Sequence, residues 1–172
     1  LGSATIGSQR LIAAEEQGRN AFSETWGFYT RAHANLQLYQ LDEALAGFLS
    51  LAERRDALPK KAVVEALAGL ALTHLAMTQE EASRATLKQL LAFARESGDP
   101  HHVAVAESCR ARISILLCDI TSAIQWARLF SVEHHAPSML FFIEIPSLTQ
   151  VRAQIAGGTD EEVARAVEAL AG

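Results

Sequence analysis

One phrase recurs along this 172-residue chain: a helix end, a short polar turn, and a new helix that usually opens on acidic residues before a small one. It reads Tyr39-Gln-Leu-Asp-Glu-Ala44, Met77-Thr-Gln-Glu-Glu-Ala82, Cys118-Asp-Ile-Thr-Ser-Ala123 and, with valine in the small slot, Gly158-Thr-Asp-Glu-Glu-Val163. The closing residues are separated by steps of 38, 41 and 40. Self-similarity at a nearly constant period of that size marks stacked helical hairpins, because no hairpin buries its apolar face alone. The expected fold is all-α, a solenoid of antiparallel helical hairpins with about four repeats and a partial one before them, forming a single domain over 1–172.

The side-chain inventory agrees. The chain is 49% hydrophobic and 20% charged, lean in aromatics at 6%, and long enough to bury a continuous core. Its net charge is −5, and no basic run exceeds Arg54-Arg55 or Lys60-Lys61. Such a surface offers no row of cations for phosphates, so no direct nucleic-acid contact is expected. Cys109 and Cys118 lie nine apart in apolar helical text, which suits reduced core thiols and a cytoplasmic setting. The longest apolar stretch, Ala66 to Met77, is interrupted by Thr73 and His74 and falls short of the roughly 20 residues of a membrane span. No signal peptide is read, and the chain is expected to be an excised part of a larger multidomain protein, with Leu1-Gly2-Ser3 set aside as an expression remnant.

Apolar spacing places the elements. Ser8 to Gln17 reads as the end of a preceding helix. Phe22, Trp26, Tyr29, Ala32 and Leu36 recur at helical steps over Asn20 to Leu38, as do Leu45, Phe48, Leu49 and Ala52 over Asp42 to Arg55. Ala62 to Met77 and Glu80 to Glu96 form a second hairpin, closed by Ser97-Gly-Asp-Pro100. His101 to Leu117 with Thr121 to Ser131, and Leu148 to Ala156 with Asp160 to Leu170, form the third and fourth. The stretch from Val132 to Ser138, holding His134-His135 and Pro137, is expected to be a loop, and Pro146 should start or kink the next helix.

The repeat resembles the tetratricopeptide repeat, which implies a right-handed superhelix with small residues where the two helices of a hairpin cross. Twelve residues before the anchoring position stand Ala32, Leu70, Ala111 and Val151, so the first and third hairpins fit. Leu70 is flanked by Gly69 and Ala71, so a one-residue slip would restore a small residue to the second. Small residues at a crossing permit close packing without cavities.

Wording in the last third is more specific. Ala123, Trp126 and Ala127 match an A-x-x-W-A phrase, and Leu148, Thr149, Arg152, Ile155, Ala156 and Gly158 match an L-T-x-A-R-x-L-I-A-x-G phrase, with Val151 and Gln154 departing. Both phrases resemble the tetratricopeptide-like region of MalT-like, LuxR-type ATP-dependent transcription regulators. The resemblance implies a signal-sensing domain in a protein whose nucleotide-binding module and helix-turn-helix lie elsewhere, since neither a Gly-x-x-x-x-Gly-Lys-Ser/Thr loop nor a basic recognition helix occurs here. It also implies a small-molecule inducer or a protein partner on the concave face, with self-association as a further option.

In such solenoids the residues eleven before the anchor point into the groove: His33, Ala71, Arg112 and Arg152. Paired arginines would take a carboxylate or phosphate, and Trp26, Tyr29 and His74 on the same face would add aromatic surface. The candidate ligand-binding residues are therefore Trp26, Tyr29, His33, His74, Arg112 and Arg152. The plainer alternative is that each arginine pairs with an acid such as Glu107 or Glu144. A general tetratricopeptide interaction scaffold is the second functional reading. His101-His102 and His134-His135 lack the cysteine or carboxylate that would complete a metal spacing, so neither a metal nor any cofactor is expected in this domain. With no nucleophile elbow and no paired carboxylates in a glycine-rich setting, neither is an enzyme. The acidic pairs of the helix starts are explained by the macrodipole.

Overall fold

The computed structural model describes residues 24–131 and 143–171. Among them the chain is all-α: eight helices and no strand. These are α1 (24–37), α2 (Leu41–Glu53), α3 (Lys60–Ala76), α4 (Glu80–Ser97), α5 (Pro100–Leu116), α6 (Ile120–Leu129), α7 (Pro146–Gly157) and α8 (Asp160–Ala171). The expected bounds hold to within two residues where the helix ends are described. Ser8 to Gln17, Phe22, the Val132–Ser138 loop and His134-His135 lie outside the described residues.

Burial follows the sequence periods. Thr25, Tyr29 and Ala32 face inward from α1, and Ala44, Phe48 and Leu51 from α2, each at steps of three or four. Helix α3 differs, because every residue from Ala62 to Thr73 is buried. It packs against α2, α4 and α5, so it needs no polar stripe at mid-length. Each helix from α2 to α7 packs on its successor, and α3, α5 and α7 also pack in series. No helix among the described residues is long and apolar enough to cross a membrane.

The turns carry the repeat. Tyr39, Thr78 and Cys118 hold φ of 61°, 60° and 63°, and Gly158 holds 67°. These left-handed positions stand 39, 40 and 40 residues apart. At the first three, the next residue donates its N–H back across the helix end, Gln40 to Asn35 O, Gln79 to His74 O and Asp119 to Ser114 O, each at 2.8 Å. That six-to-one bond is the Schellman closure, and it satisfies carbonyls the helix end would leave open. A non-glycine residue in this conformation costs roughly 1–2 kcal/mol. The closure holds three of them there.

The turns also correct the phase of the second hairpin. Thr78, not Met77, is equivalent to Tyr39, so the anchoring residue is Ser83 rather than Ala82. Ser83 is fully buried and its Oγ donates to Ala71 O at 2.8 Å, twelve residues back. Ala71 therefore takes the crossing position expected of Leu70, and the second hairpin joins the first and third in having small residues there. At the first crossing Ala32 Cβ lies 2.8 Å from where a Cβ on Gly47 would stand, so alanine there would force the helices apart. The fourth hairpin departs: Val163 is exposed, while its neighbour Glu162 is buried and accepts from Arg128 of α6 at 2.6 and 2.9 Å. Glu162 is thus more than a first-turn charge.

Candidate functional site

Besides Glu162, two further carboxylates are buried, both among apolar side chains. Glu65 is the one charged residue between Ala62 and Thr73 of α3, and Glu144 follows Ile143 just before α7; each is 1% exposed. Burying a carboxylate is costly unless its oxygens are hydrogen-bonded, so the partners define the site.

They belong to two connected groups. Tyr29 of α1 donates its hydroxyl to Glu65 Oε2 at 3.1 Å, and the backbone N–H of Ile143 donates to both, at 2.9 Å to Tyr29 Oη and 3.0 Å to Glu65 Oε2. One residue on, Glu144 Oε1 accepts from Ser108 of α5 at 2.6 Å and from Thr149 of α7. Arg112 of α5 closes the second group, its Nη1 donating to Glu144 Oε2 at 3.2 Å and to the Ile143 carbonyl at 3.0 Å. Four helices thus hold the N–H, the C=O and the next side chain of a short non-helical segment, Ile143–Ile145, whose last residue is extended.

The apolar side of the segment is equally fitted. Ile143 is buried in the same core as Tyr29 and Phe48. A Cβ at Gly69 would fall 2.6 Å from both Ile143 Cδ1 and the Phe48 ring, so only glycine there leaves room for the pair. Burying an isoleucine side chain contributes about 1.5–3 kcal/mol.

The electrostatics follow from this packing. Burial pushes the Glu65 carboxyl up to about 7, against the pull of the Ile143 and Tyr29 donors, and the nearby Glu144 raises it further while Lys61 lowers it. Burial, and then the charge of Glu65, drive the Tyr29 phenol well above its usual range. Burial lowers Arg152, as does the like charge of Arg112, with Glu144 opposing.

Beside this cluster lies a cavity of about 540 Å³. Among the described residues its wall includes Leu36 and Gln37 of α1, Tyr39 of the first turn, Leu72 and Leu75 of α3, and Leu116 and Leu117 at the end of α5, with Arg112 as its one cationic and Glu80 as its one acidic side chain. Tyr39 bridges the rim by donating its hydroxyl to Ala76 O at 3.3 Å. A second cavity, of about 580 Å³, lies among α4, α5 and α6, where Trp126 meets Arg84 and Arg110.

Of the residues singled out from sequence, Tyr29 and Arg112 sit in the hydrogen-bonded cluster. Trp26 packs edge-on to Tyr29 at 5.4 Å between ring centroids, and His33 lies 6.0 Å from it on the other side. Arg152 lies alongside, donating to Thr149 Oγ1 at 3.4 Å. His74 does not join them: its Nδ1 engages Gln79 Oε1 at 2.7 Å across the second turn. With the corrected phase, the groove-facing position of the second hairpin is Leu72 rather than Ala71, and Leu72 indeed lines the cavity. For Arg112 the plainer expectation holds, since it pairs with Glu144. Cys109 is buried, with its thiol pushed up by desolvation, whereas Cys118 is exposed in a turn and is not a core thiol.

Glu65, Ser108 and Ile143 were not among the sequence candidates. One signal pointed to both acids. Glu65 and Glu144 each interrupt an otherwise apolar run, and a lone charge in such a run is buried with its partner or not at all. Comparison of the chain with protein-family models, with curated proteins and with solved structures finds no match.

Proposed function

We propose that this chain is the signal-sensing domain of a MalT-like, LuxR-type transcription regulator, built as a right-handed tetratricopeptide-like solenoid that binds an inducer on the face lined by α1, α3 and α5. The observation that carries the reading is the cavity of about 540 Å³, with leucine walls and Arg112 as its only cation among the described residues. Its size falls within the range of small-molecule sites, and a mostly apolar wall with Arg112 on one side and Glu80, itself paired with Arg84, at another suits a ligand with an apolar body and a carboxylate or phosphate that reaches Arg112. Arg112 also holds Glu144, so an anion drawn to Arg112 competes with an internal carboxylate. That competition couples occupancy of the cavity to the segment preceding α7, and hence to the packing of the last hairpin. In this reading the domain is cytoplasmic and not an enzyme. It meets DNA only through a helix-turn-helix elsewhere in its protein, and contacts no membrane.

Thermal-shift screening against sugars, phosphorylated metabolites, carboxylic acids and nucleotides tests the proposal, since a ligand bound only by the folded state raises its apparent stability by mass action. A dose-dependent rise, lost in Leu72→Arg and weakened in Arg112→Met, is the expected result. Absence of any rise across the panel would overturn it.

A second reading, an interaction scaffold for a partner protein, is favoured by one specific observation. A non-helical segment of the chain itself is gripped by the inner helices through its main chain.

A further inference from the structure

Side chains of α1, α3 and α5 recognise Ile143–Glu144 as they would a separate peptide. The amide N–H is taken by Tyr29 and Glu65, the carbonyl by Arg112, the aliphatic side chain by the space over Gly69, and the carboxylate by Ser108 and Arg112. Of the hydrogen-bonding groups, only Thr149 belongs to the segment's own helix. The rest lie 31 to 114 residues away in sequence, so the cradle is assembled by the helices rather than by the segment. Main-chain hydrogen bonds combined with one apolar and one acidic pocket specify a ligand class: an extended peptide with an aliphatic residue followed by an acidic one. A helix connection needing only to be anchored would be held by apolar burial. Two desolvated carboxylates are an expensive way to do it.

We propose that Ile143–Glu144 is a resident, displaceable self-ligand, and that the cradle around it receives an aliphatic–acidic peptide of a partner protein in exchange for it. The proposal rests on reading the face of α1, α3 and α5 as a binding surface, and it names what that surface recognises. Exchange frees the segment before α7 while Tyr29, Glu65, Ser108 and Arg112 stay satisfied by the incoming peptide, so no buried polar group is left open in either state. The acid at the second peptide position is discriminated by Arg112, Ser108 and Thr149, and a lysine there would meet Arg112 with like charge.

The probe is an acetylated pentapeptide with the sequence of residues 143–147, Ile-Glu-Ile-Pro-Ser, carrying a fluorophore at its C-terminus, with binding read by anisotropy. Acetylation keeps the first nitrogen an amide donor, as it is in the chain. Against a chain with its own segment released by Ile143→Gly and Glu144→Ala, binding is expected at least tenfold tighter than against the unaltered chain. It is expected to fall at least tenfold again when the peptide's glutamate is replaced by glutamine or when Arg112→Met is added. A released variant that keeps its helical circular dichroism and cooperative melt, yet binds no tighter than the unaltered chain, overturns the proposal. If that variant does not fold, hydrogen exchange of the unaltered chain decides. Exchange of the Ile143 amide at least tenfold faster than that of Leu67 in α3 shows the segment opening on its own, and equal rates show an inseparable part of the core and overturn the exchange. A small-molecule thermal shift without peptide binding removes this proposal and leaves the sensing role. Peptide binding without any small-molecule hit does the reverse.

Discussion

Glu65 offers the sharpest test of the polar cluster, because its burial makes folding depend on pH in a way that one substitution isolates. Its carboxyl is pushed from 4.5 to about 7 by the fold. Between those values the native state keeps a proton that the unfolded chain has released. Stability therefore falls as pH rises across the window, with the full contribution present below 4.5 and gone above about 7. At 1.36 kcal/mol per pH unit, the shift is worth about 3 kcal/mol. Glu65→Gln removes the titration while keeping an oxygen to accept from Ile143 and Tyr29. The stability of the variant minus that of the unaltered chain should rise by about 3 kcal/mol from pH 4.5 to 8, which for a domain of this size is roughly 6–12 °C in Tm. Histidines and the other carboxylates cancel in the difference, since the substitution leaves them in place. Thermal melts of both proteins at half-unit intervals across that range provide the assay. A Tm difference that stays constant within about 2 °C would refute the reasoning: the carboxylate would then be as well solvated in the folded chain as in the unfolded one.

Three further outcomes are expected. Glu144→Ala should lower stability by about 3–5 kcal/mol, the usual cost of removing one partner of a buried pair, and Arg112→Met by a smaller amount because Ser108 and Thr149 still hold the carboxylate; chemical denaturation measures both. Gly69→Ala should destabilise by about 1–3 kcal/mol despite alanine's better helix propensity, because its Cβ collides with Phe48 and Ile143; a stable variant in the same assay would show that α3 and the segment move apart freely. Gly158→Ala should cost about 1 kcal/mol from its left-handed backbone alone, with nothing within 4 Å to clash, whereas Cys118→Gly at the equivalent turn should hold or raise Tm; opposite signs would mean these turns are not held at positive φ.

The order and type of the helices were legible because each hairpin needs its apolar stripe at helical spacing, and the turns separate the stripes cleanly. Phase was harder. Of the four left-handed positions that recur within the hairpins, Gly158 alone is a glycine; Tyr39, Thr78 and Cys118 take that conformation because the Schellman bond holds it, and no side chain advertises it. With Ala82 and Ser83 adjacent, small size alone could not choose between them. The hydrogen bond of Ser83 to Ala71 does, and it moves the groove position from Ala71 to Leu72. The site was half legible for a similar reason: spacing along a repeat finds Arg112 and Arg152, which recur in register, and Tyr29 by its place on the same face, but not a partner that obeys no period.

That partner, Ile143–Glu144, explains why the cluster is polar at all. An apolar connection would have satisfied the core around Phe48, yet would have left the Ile143 N–H and C=O without acceptor and donor. The inner helices supply both, and in doing so they place Glu144 where its charge raises the cost of ionising Glu65. Burial opposes ionisation of Glu65, while the Ile143 N–H and the Tyr29 hydroxyl favour it, so the segment's own donor offsets part of the cost of keeping a carboxylate in the core. Position, and in the proposed exchange reversibility as well, comes from one set of hydrogen bonds. A segment fastened by burial alone would have the first without the second.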